Sequence, residues 1–275
     1  MAHFYGSLGT QINIVQKNEF LLNREDEDIA RKFTEVFSKK YNVFTNSEPT
    51  KVSKKAGEFR VTVKSNRGSQ TKVLRSDQLL VAVGRVPNSD TIELAKTGVK
   101  TDAKGFVLTD EYMETNVKGI YALGDAVGHF LFRHSANLEA EYDFHNIMDP
   151  ENKVPVDYTA MPHAIFSSPQ VAGVGKTERE LREAKVSYSA GKYDFINTAM
   201  GEAIEDRVGF VKFLVEKRSK KILGCHIIGS DAATLIHEVI VAMKSGDGGI
   251  GNILRAVHVH PALSEVVQRA AGSVQ

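Results

Sequence analysis

Apolar residues in this chain recur with two periods. Between Asp231 and Lys244 they return every third or fourth position. Ala232, Leu235, Ile236, Val239, Ile240 and Met243 make one stripe, and Gly246 closes it. That spacing predicts an amphipathic helix with a glycine stop. Phe33, Val36 and Phe37 give a second apolar face, predicting a helix over 27–39. Thr177 and Glu180 form a capping box that opens a short helix to Ala184. A polar helix is read over 134–147, and a short one ends near Gly9. Elsewhere the pattern is that of strands, read at 11–15, 41–44, 50–52, 58–63 and 71–74, then at 164–166, 171–174, 186–194, 209–215 and 222–228. Residues 208–214 alternate apolar and polar. Residues 78–83 are near-continuously apolar, as in a parallel strand buried on both faces. Shorter strand pieces are read at 105–107, 110–112 and 120–122.

Strand, helix, strand over 11–44 is half of a βαβ unit, the grammar of an α/β domain. The meander at 50–74 follows, with 64–68 as a turn. Asp149, Pro150 and Pro155 mark a linker, and beyond it strands followed by helices describe a separate α+β domain. A dinucleotide-binding domain puts a strand and a Gly-rich turn before its first helix. Here none precedes it, so the reading is a chain that starts inside a Rossmann-type domain.

Charge narrows the partners. Thirty-five basic and 34 acidic side chains give a net +1, with no electrostatic footprint for nucleic acid or an anionic membrane. No apolar run nears the ~20 residues of a membrane span, and the first residues do not read as a signal peptide. The single Cys225 excludes an internal disulfide and any Cys-rich metal site, and is read as a small buried hydrophobe. The expectation is a cytoplasmic protein without a metal centre.

Candidate chemistry gathers at the tail. In Val257-His258-Val259-His260-Pro261-Ala262-Leu263-Ser264-Glu265, a helix is predicted over 261–271, with Pro261 in its first turn. Glu265 could then fold back onto His260. A carboxylate on one imidazole nitrogen fixes the tautomer and raises the basicity of the other, the minimum of a general acid/base. A structural histidine at a helix start is the competing reading. Gly84, after the apolar run, allows close approach of a ligand or backbone, or is a plain strand exit. Gly124 and Asp125 lie where a parallel strand would end, the ligand edge of an α/β sheet. Asp125 there suits sugar-like hydroxyls, or a turn. Leu131-Phe132-Arg133 leads into the polar helix, whose free N–H groups suit an electron-rich edge.

These motifs together resemble the C-terminal part of the FAD-dependent pyridine nucleotide–disulfide oxidoreductases, nearest to the dihydrolipoamide dehydrogenase branch and then the mycothione reductase branch. LLVAVGRVPN (79–88) is similar to the last nicotinamide-domain strand, TNVKGIYALGD (115–125) to the second FAD motif, IFSSPQVAGVG (165–175) and 209–229 to the interface domain, and HVHPALSE (258–265) to the catalytic tail. The resemblance spans the chain. It implies a partial Rossmann-type α/β part followed by an α+β interface (dimerisation) domain: 1–85 a truncated NAD(P)-binding domain, 86–155 the C-terminal segment of the FAD-binding/central domain, 156–275 the interface domain.

It also implies chemistry. NAD(P)H or a dithiol exchanges electrons with FAD and a reactive disulfide. Asp125 binds the ribitol of FAD, and the backbone at Leu131, Phe132 and Arg133 faces the flavin. His260 moves the thiol proton and Glu265 holds it, serving the partner subunit of a homodimer built through 156–275. Substrates implied are a lipoyl-carrying protein or a small disulfide. Gln16 and Lys17 close the first strand where NAD-binding members often carry an acid, leaving NAD and NADP both open. No cysteine follows Glu265, unlike the mercuric reductase branch. The redox cysteine pair and N-terminal FAD domain are not in this sequence, so the polypeptide alone is expected to be colourless and inactive. Two other readings compete: a mycothione-type or other NADPH-dependent low-molecular-weight disulfide reductase, and a non-catalytic dimerisation module.

Overall fold

The computed structural model describes residues 1–68 and 70–275. The chain opens with α1 (Ala2–Ser7), β1 (Asn13–Val15), α2 (Glu27–Lys40) and β2 (Asn42–Phe44). The hairpin strands β3 (Ser47–Lys55), β4 (Glu58–Ser65) and β5 (Thr71–Ser76) follow. One long helix, α3 (Arg133–Met148), stands in the middle. Then come β6 (Pro162–Ile165), β7 (Gln170–Gly175), α4 (Glu178–Glu183), β8 (Tyr188–Asp194), α5 (Ala199–Ala203), β9 (Phe210–Glu216), β10 (Ile222–Gly229), α6 (Ala232–Lys244), α7 (Gly251–Leu254) and α8 (Ser264–Gly272). Two units result: Met1–Leu79 with Ala160–Gln275, and Leu80–Thr159.

In the first unit β1 and β2 pair in parallel across α2, the predicted half βαβ unit, and β3-β4-β5 form the predicted antiparallel meander. The larger sheet is antiparallel, in the order β6-β7-β10-β9-β8. α2 starts where the Asp26 carboxylate accepts the Asp28 N–H (3.1 Å), with Glu27 and Asp28 in its first turn and Lys39 and Lys40 in its last. Both charge placements favour the helix dipole. Its buried face is Ile29, Ala30, Phe33 and Phe37, with the two rings stacked at 4.0 Å.

The sheet is covered on both faces. Val211, Phe213 and Val215 of β9 pack with Cys225, Ile227 and the α6 stripe, while Phe210 joins Val171, Ile228, Phe33 and Phe37. Burying each such aromatic contributes about 2–3 kcal/mol. The alternation of β9 therefore does not mark a solvent face. Its polar member, Lys212, is 4 % exposed and its ammonium meets Asp26 (2.8 Å), Asp28 (2.9 Å) and Glu178 (2.7 Å). The capping box of α4 forms as predicted, with Thr177 and Glu180 each bonded to the other's backbone N–H.

Five predicted elements are corrected. Residues 78–83 join no strand ladder among the described residues, and Leu80 (62 %), Val81 (69 %) and Val83 (87 %) are exposed. Apolar pattern specifies what a strand buries, but a ladder also needs a neighbour, and none of the described strands supplies one. Residues 105–107 and 120–122 each give only an isolated bridge, Val107 to Thr101 and Tyr121 to Glu114, and 110–112 form a turn closed by Met113 N–H to Asp110 O (3.1 Å). The tail helix begins at Ser264 rather than Pro261, and the Glu265 carboxylate caps its entry by accepting the Ala262 N–H.

The second unit has α3 and short turns. Its helix is inverted relative to the usual amphipathic plan. Ser135, Glu139, Asp143 and Asn146 make the buried stripe, while Phe144, Ile147 and Met148 are exposed. The polar stripe serves loop backbone: Ser135 Oγ donates to Phe130 O (2.9 Å), Glu139 accepts the Gly124 N–H (2.5 Å), and Asn146 pairs both ways with Val154.

Candidate active site

After α7 the chain runs extended and open, with Val257 99 % and Val259 74 % exposed. α8 then places Glu265 in its first turn, where the side chain is largely buried beneath the tail. His260 Nδ1 lies 3.0 Å from Glu265 Oε1 and 3.2 Å from Oε2, and Oε2 accepts the Ala262 N–H (3.1 Å). The histidine and the Ala262 N–H hold the Glu265 carboxyl below its ordinary range. With Nδ1 donating to that carboxylate, the proton-free nitrogen is Nε2, which points away from the pair on an exposed ring. A fixed tautomer with an outward lone pair can take a proton from a thiol and return it.

In the second unit the structure brings two expected residues, Asp125 and Leu131, together through one that sequence pattern did not single out, Arg85. Arg85 Nη1 lies 3.2 Å from Asp125 Oδ2 and 2.7 Å from Leu131 O. These residues wall a groove of about 540 Å³ with Pro87, Ile92 and Phe106 on its apolar side. Asp125 sits in a 3₁₀ turn, Gly124–Ala126. Gly124 is required there twice over: φ is +67°, and a Cβ would meet Ala136 Cβ at 3.1 Å. Gly84 has φ +147° with open space beside it. Phe132 is the extended residue before α3 and stacks on His134, and Arg133 is the first residue of the helix. The turn is held from beneath by Glu139, whose other oxygen accepts the Tyr158 hydroxyl (2.8 Å). The i, i+4 spacing of Ser135, Glu139 and Asp143 was a signal for this stripe.

Gln16 and Lys17 follow β1 in the first unit. Gln16 Oε1 accepts the Asn18 N–H (3.1 Å), and the Lys17 carbonyl accepts from Asn66 (3.1 Å). Cys225 is buried in β10, and burial pushes its thiol well up, so it is an inert core residue. No group of three metal-ligating side chains occurs among the described residues.

Residues 1–144 match the family described as pyridine nucleotide-disulphide oxidoreductase, and 161–271 match its dimerisation domain. Over 272 residues the chain is 31 % identical to the mitochondrial dihydrolipoyl dehydrogenase of Pisum sativum, covering 98 % of this chain and 54 % of that protein. Over 273 residues it is 34 % identical to mycothione reductase of Mycobacterium tuberculosis, covering 98 % and 58 %. The chain thus spans little more than half the length of these relatives. The HOCl-induced flavoprotein disulfide reductase RclA of Escherichia coli superposes with a TM-score of 0.88 at 22 % identity, covering all of this chain and 62 % of that one, a likeness of fold.

Proposed function

The chain belongs to the pyridine nucleotide–disulphide oxidoreductase family, and from that premise we propose that it acts within a flavin-dependent dithiol/disulfide oxidoreductase, exchanging electrons between dihydrolipoamide and NAD+. The observation that carries this reading is the His260–Glu265 pair, an exposed imidazole with one nitrogen fixed by a carboxylate. Thiol chemistry needs such a group, because the thiolate and not the thiol reacts. His260 takes the substrate thiol proton at Nε2, and Glu265 keeps Nδ1 protonated and the ring aimed. In the proposed homodimer the pair serves the partner subunit's disulfide.

The residues of the second unit fit a flavin nucleotide. Asp125 offers a carboxylate that is 59 % exposed, beside an apolar wall, on a turn where glycine keeps the backbone open. When bound, FAD supplies the electron relay between pyridine nucleotide and disulfide. Asp125 accepts hydrogen bonds from its ribitol hydroxyls, and the turn held by Glu139 keeps that carboxylate in place. Leu131 lines the same groove, and Phe132 and Arg133 follow it into α3. The family's redox cysteine pair has no counterpart here, since Cys225 is buried. Expressed alone, the 275 residues are therefore proposed to be colourless and inactive.

The mycothione-type alternative, with NADPH and a small disulfide, draws support from Gln16. Its side chain, in place of a carboxylate, turns onto Asn18 and leaves no negative charge to repel a ribose phosphate. The deciding measurement uses the full-length enzyme: its flavin spectrum, then turnover with NAD+ and dihydrolipoamide against NADPH and small disulfides. Preference for the second set replaces the first reading. Absence of both flavin and turnover leaves a dimerisation module. In that enzyme His260→Gln should lower turnover ~10²–10⁴-fold, the range for a general acid/base, with flavin content unchanged. Equal turnover would remove His260 from the chemistry.

A further inference from the structure

The fold treats the two tail histidines differently. The His260 side chain is 70 % exposed, whereas that of His258, two residues earlier, is 6 % exposed. Its Nδ1 lies 3.2 Å from Ala256 O and its Nε2 2.5 Å from Glu238 Oε1 on α6. The same Ala256 carbonyl accepts from Gln268 Nε2 of α8 (3.3 Å). A line of side chains therefore runs from α8, through Ala256 and the His258 ring, to α6. Beyond these contacts and the His260–Glu265 pair, no backbone hydrogen bond ties the run 257–261 to a helix or strand among the described residues, and both valines face outward.

We propose that His258 and Glu238 are positioning residues, a peg that fastens the extended tail to α6 and so fixes where His260 is presented. His258 cannot itself serve a substrate, because both ring nitrogens are engaged and the ring is buried. The contact with Glu238 is of the charge-assisted kind, a proton lying between ring and carboxylate whichever of them carries it. The division of labour is geometric. Glu265 orients the His260 ring relative to α8, and the peg places the backbone that bears that ring relative to α6. Without the peg the run would have only the His260–Glu265 pair and its two ends to restrain it, and open chain with few contacts samples many conformations. A ring displaced by about 1 Å loses much of its catalytic value. The purpose of the peg rests on the reading of His260 as the proton-transfer group, but its existence does not.

The test uses the full 275-residue chain and needs neither flavin nor turnover. Backbone ¹⁵N relaxation is followed in Glu238→Ala and Glu238→Gln, with the imidazole proton signals of His260 recorded alongside. Glu238→Ala should drop the order parameters at 257–260 from about 0.85 to below about 0.6 and alter the His260 ring signals, while the five-stranded sheet keeps its wild-type values. Glu238→Gln retains an acceptor for the ring and should restore the order parameters to near wild type. Unchanged order parameters at 257–260 in Glu238→Ala would overturn the proposal. So would a fall spread evenly over α6 and the sheet that Glu238→Gln does not reverse, since that marks a fold residue. His260→Gln in the same chain should leave the order parameters at 257–259 as they are. Loss of turnover in the full-length His260→Gln enzyme is a separate result, so failure of the peg and failure of the catalytic reading remain distinguishable.

Discussion

Lys212 is the side chain with the most at stake in the first unit. Its ammonium has left water and is answered by the carboxylates of Asp26, Asp28 and Glu178. Burial alone would lower its pKa, yet hydrogen bonds to Asp26, Glu178 and Asp28 raise it. Burial would likewise raise Asp26, and the positive fields of His226 and Lys212 outweigh it. His226 is itself discouraged from charging by burial, so Lys212 is the standing partner at neutral pH. Lys212→Met should cost about 3–5 kcal/mol at pH 7, because it strands buried carboxylates rather than removing a pair. Urea unfolding measures this. The pH dependence follows in sign. Asp26 and Glu178 have lowered pKa values in the fold, so their contribution is present above their unfolded values, about 3.9 and 4.3, and is lost as pH falls through the folded ones. In Lys212→Met the stranded carboxylates protonate more readily, so its deficit should shrink between pH 7 and pH 4. A deficit constant over that range would refute the account. Lys212 also shows where residue-level reading stops. Alternation located β9 correctly, but a lysine in an alternating strand looks like solvent face unless the acids at 26, 28 and 178 are known to converge on it. The His260–Glu265 pair was legible, because both residues lie within one turn of the same helix start.

At the scale of elements, α3 inverts the usual rule. Its buried stripe is polar and each member but one is well supplied with partners. The exception is Asp143, whose Oδ1 is buried without a hydrogen-bond partner among the described residues. Burial, then the nearby Glu139, pushes Asp143 up to about 6. A carboxyl raised in the fold contributes stability that is present below its unfolded value near 3.9 and is lost as pH rises through about 6. Asp143→Asn should therefore stabilise α3 and its loops by about 1–2 kcal/mol at pH 8 and make no difference near pH 4. Thermal melts at the two pH values decide it, and an equal effect at both would reject the cause. The helices and the five-stranded sheet were legible because each carries its own period or cap: the α6 stripe, the Thr177–Glu180 box, the β9 alternation. The run 78–83 was misread for the opposite reason. Its apolar content is real, but pairing is a property of two segments, and one segment cannot announce its neighbour. Arg85 escaped notice similarly, since its link to Asp125 and Leu131 joins positions 40 and 46 residues apart.

For the whole molecule, the match of 161–271 to a dimerisation domain carries the next expectation. The chain should sediment at about twice 30.3 kDa at micromolar concentration. A monomer there would undo the proposal that His260 serves a partner subunit. Sequence composition prepared this poorly, because interface and core draw on the same apolar residues, and the motifs rather than the percentages located the domain. One feature of the molecule also bears on how it behaves in a tube. The segment QLLVAV at 78–83 is apolar, uncharged, free of proline and open to water over much of its length. Short β-prone segments of that kind stack into cross-β zippers when they meet in solution. The isolated polypeptide is thus a colloid with a built-in seed: concentrated stocks should turn turbid sooner in sulfate, which drives apolar surface out of water, and a single charge set into the run, as in Val81→Lys, should delay that clouding severalfold without moving the melting temperature.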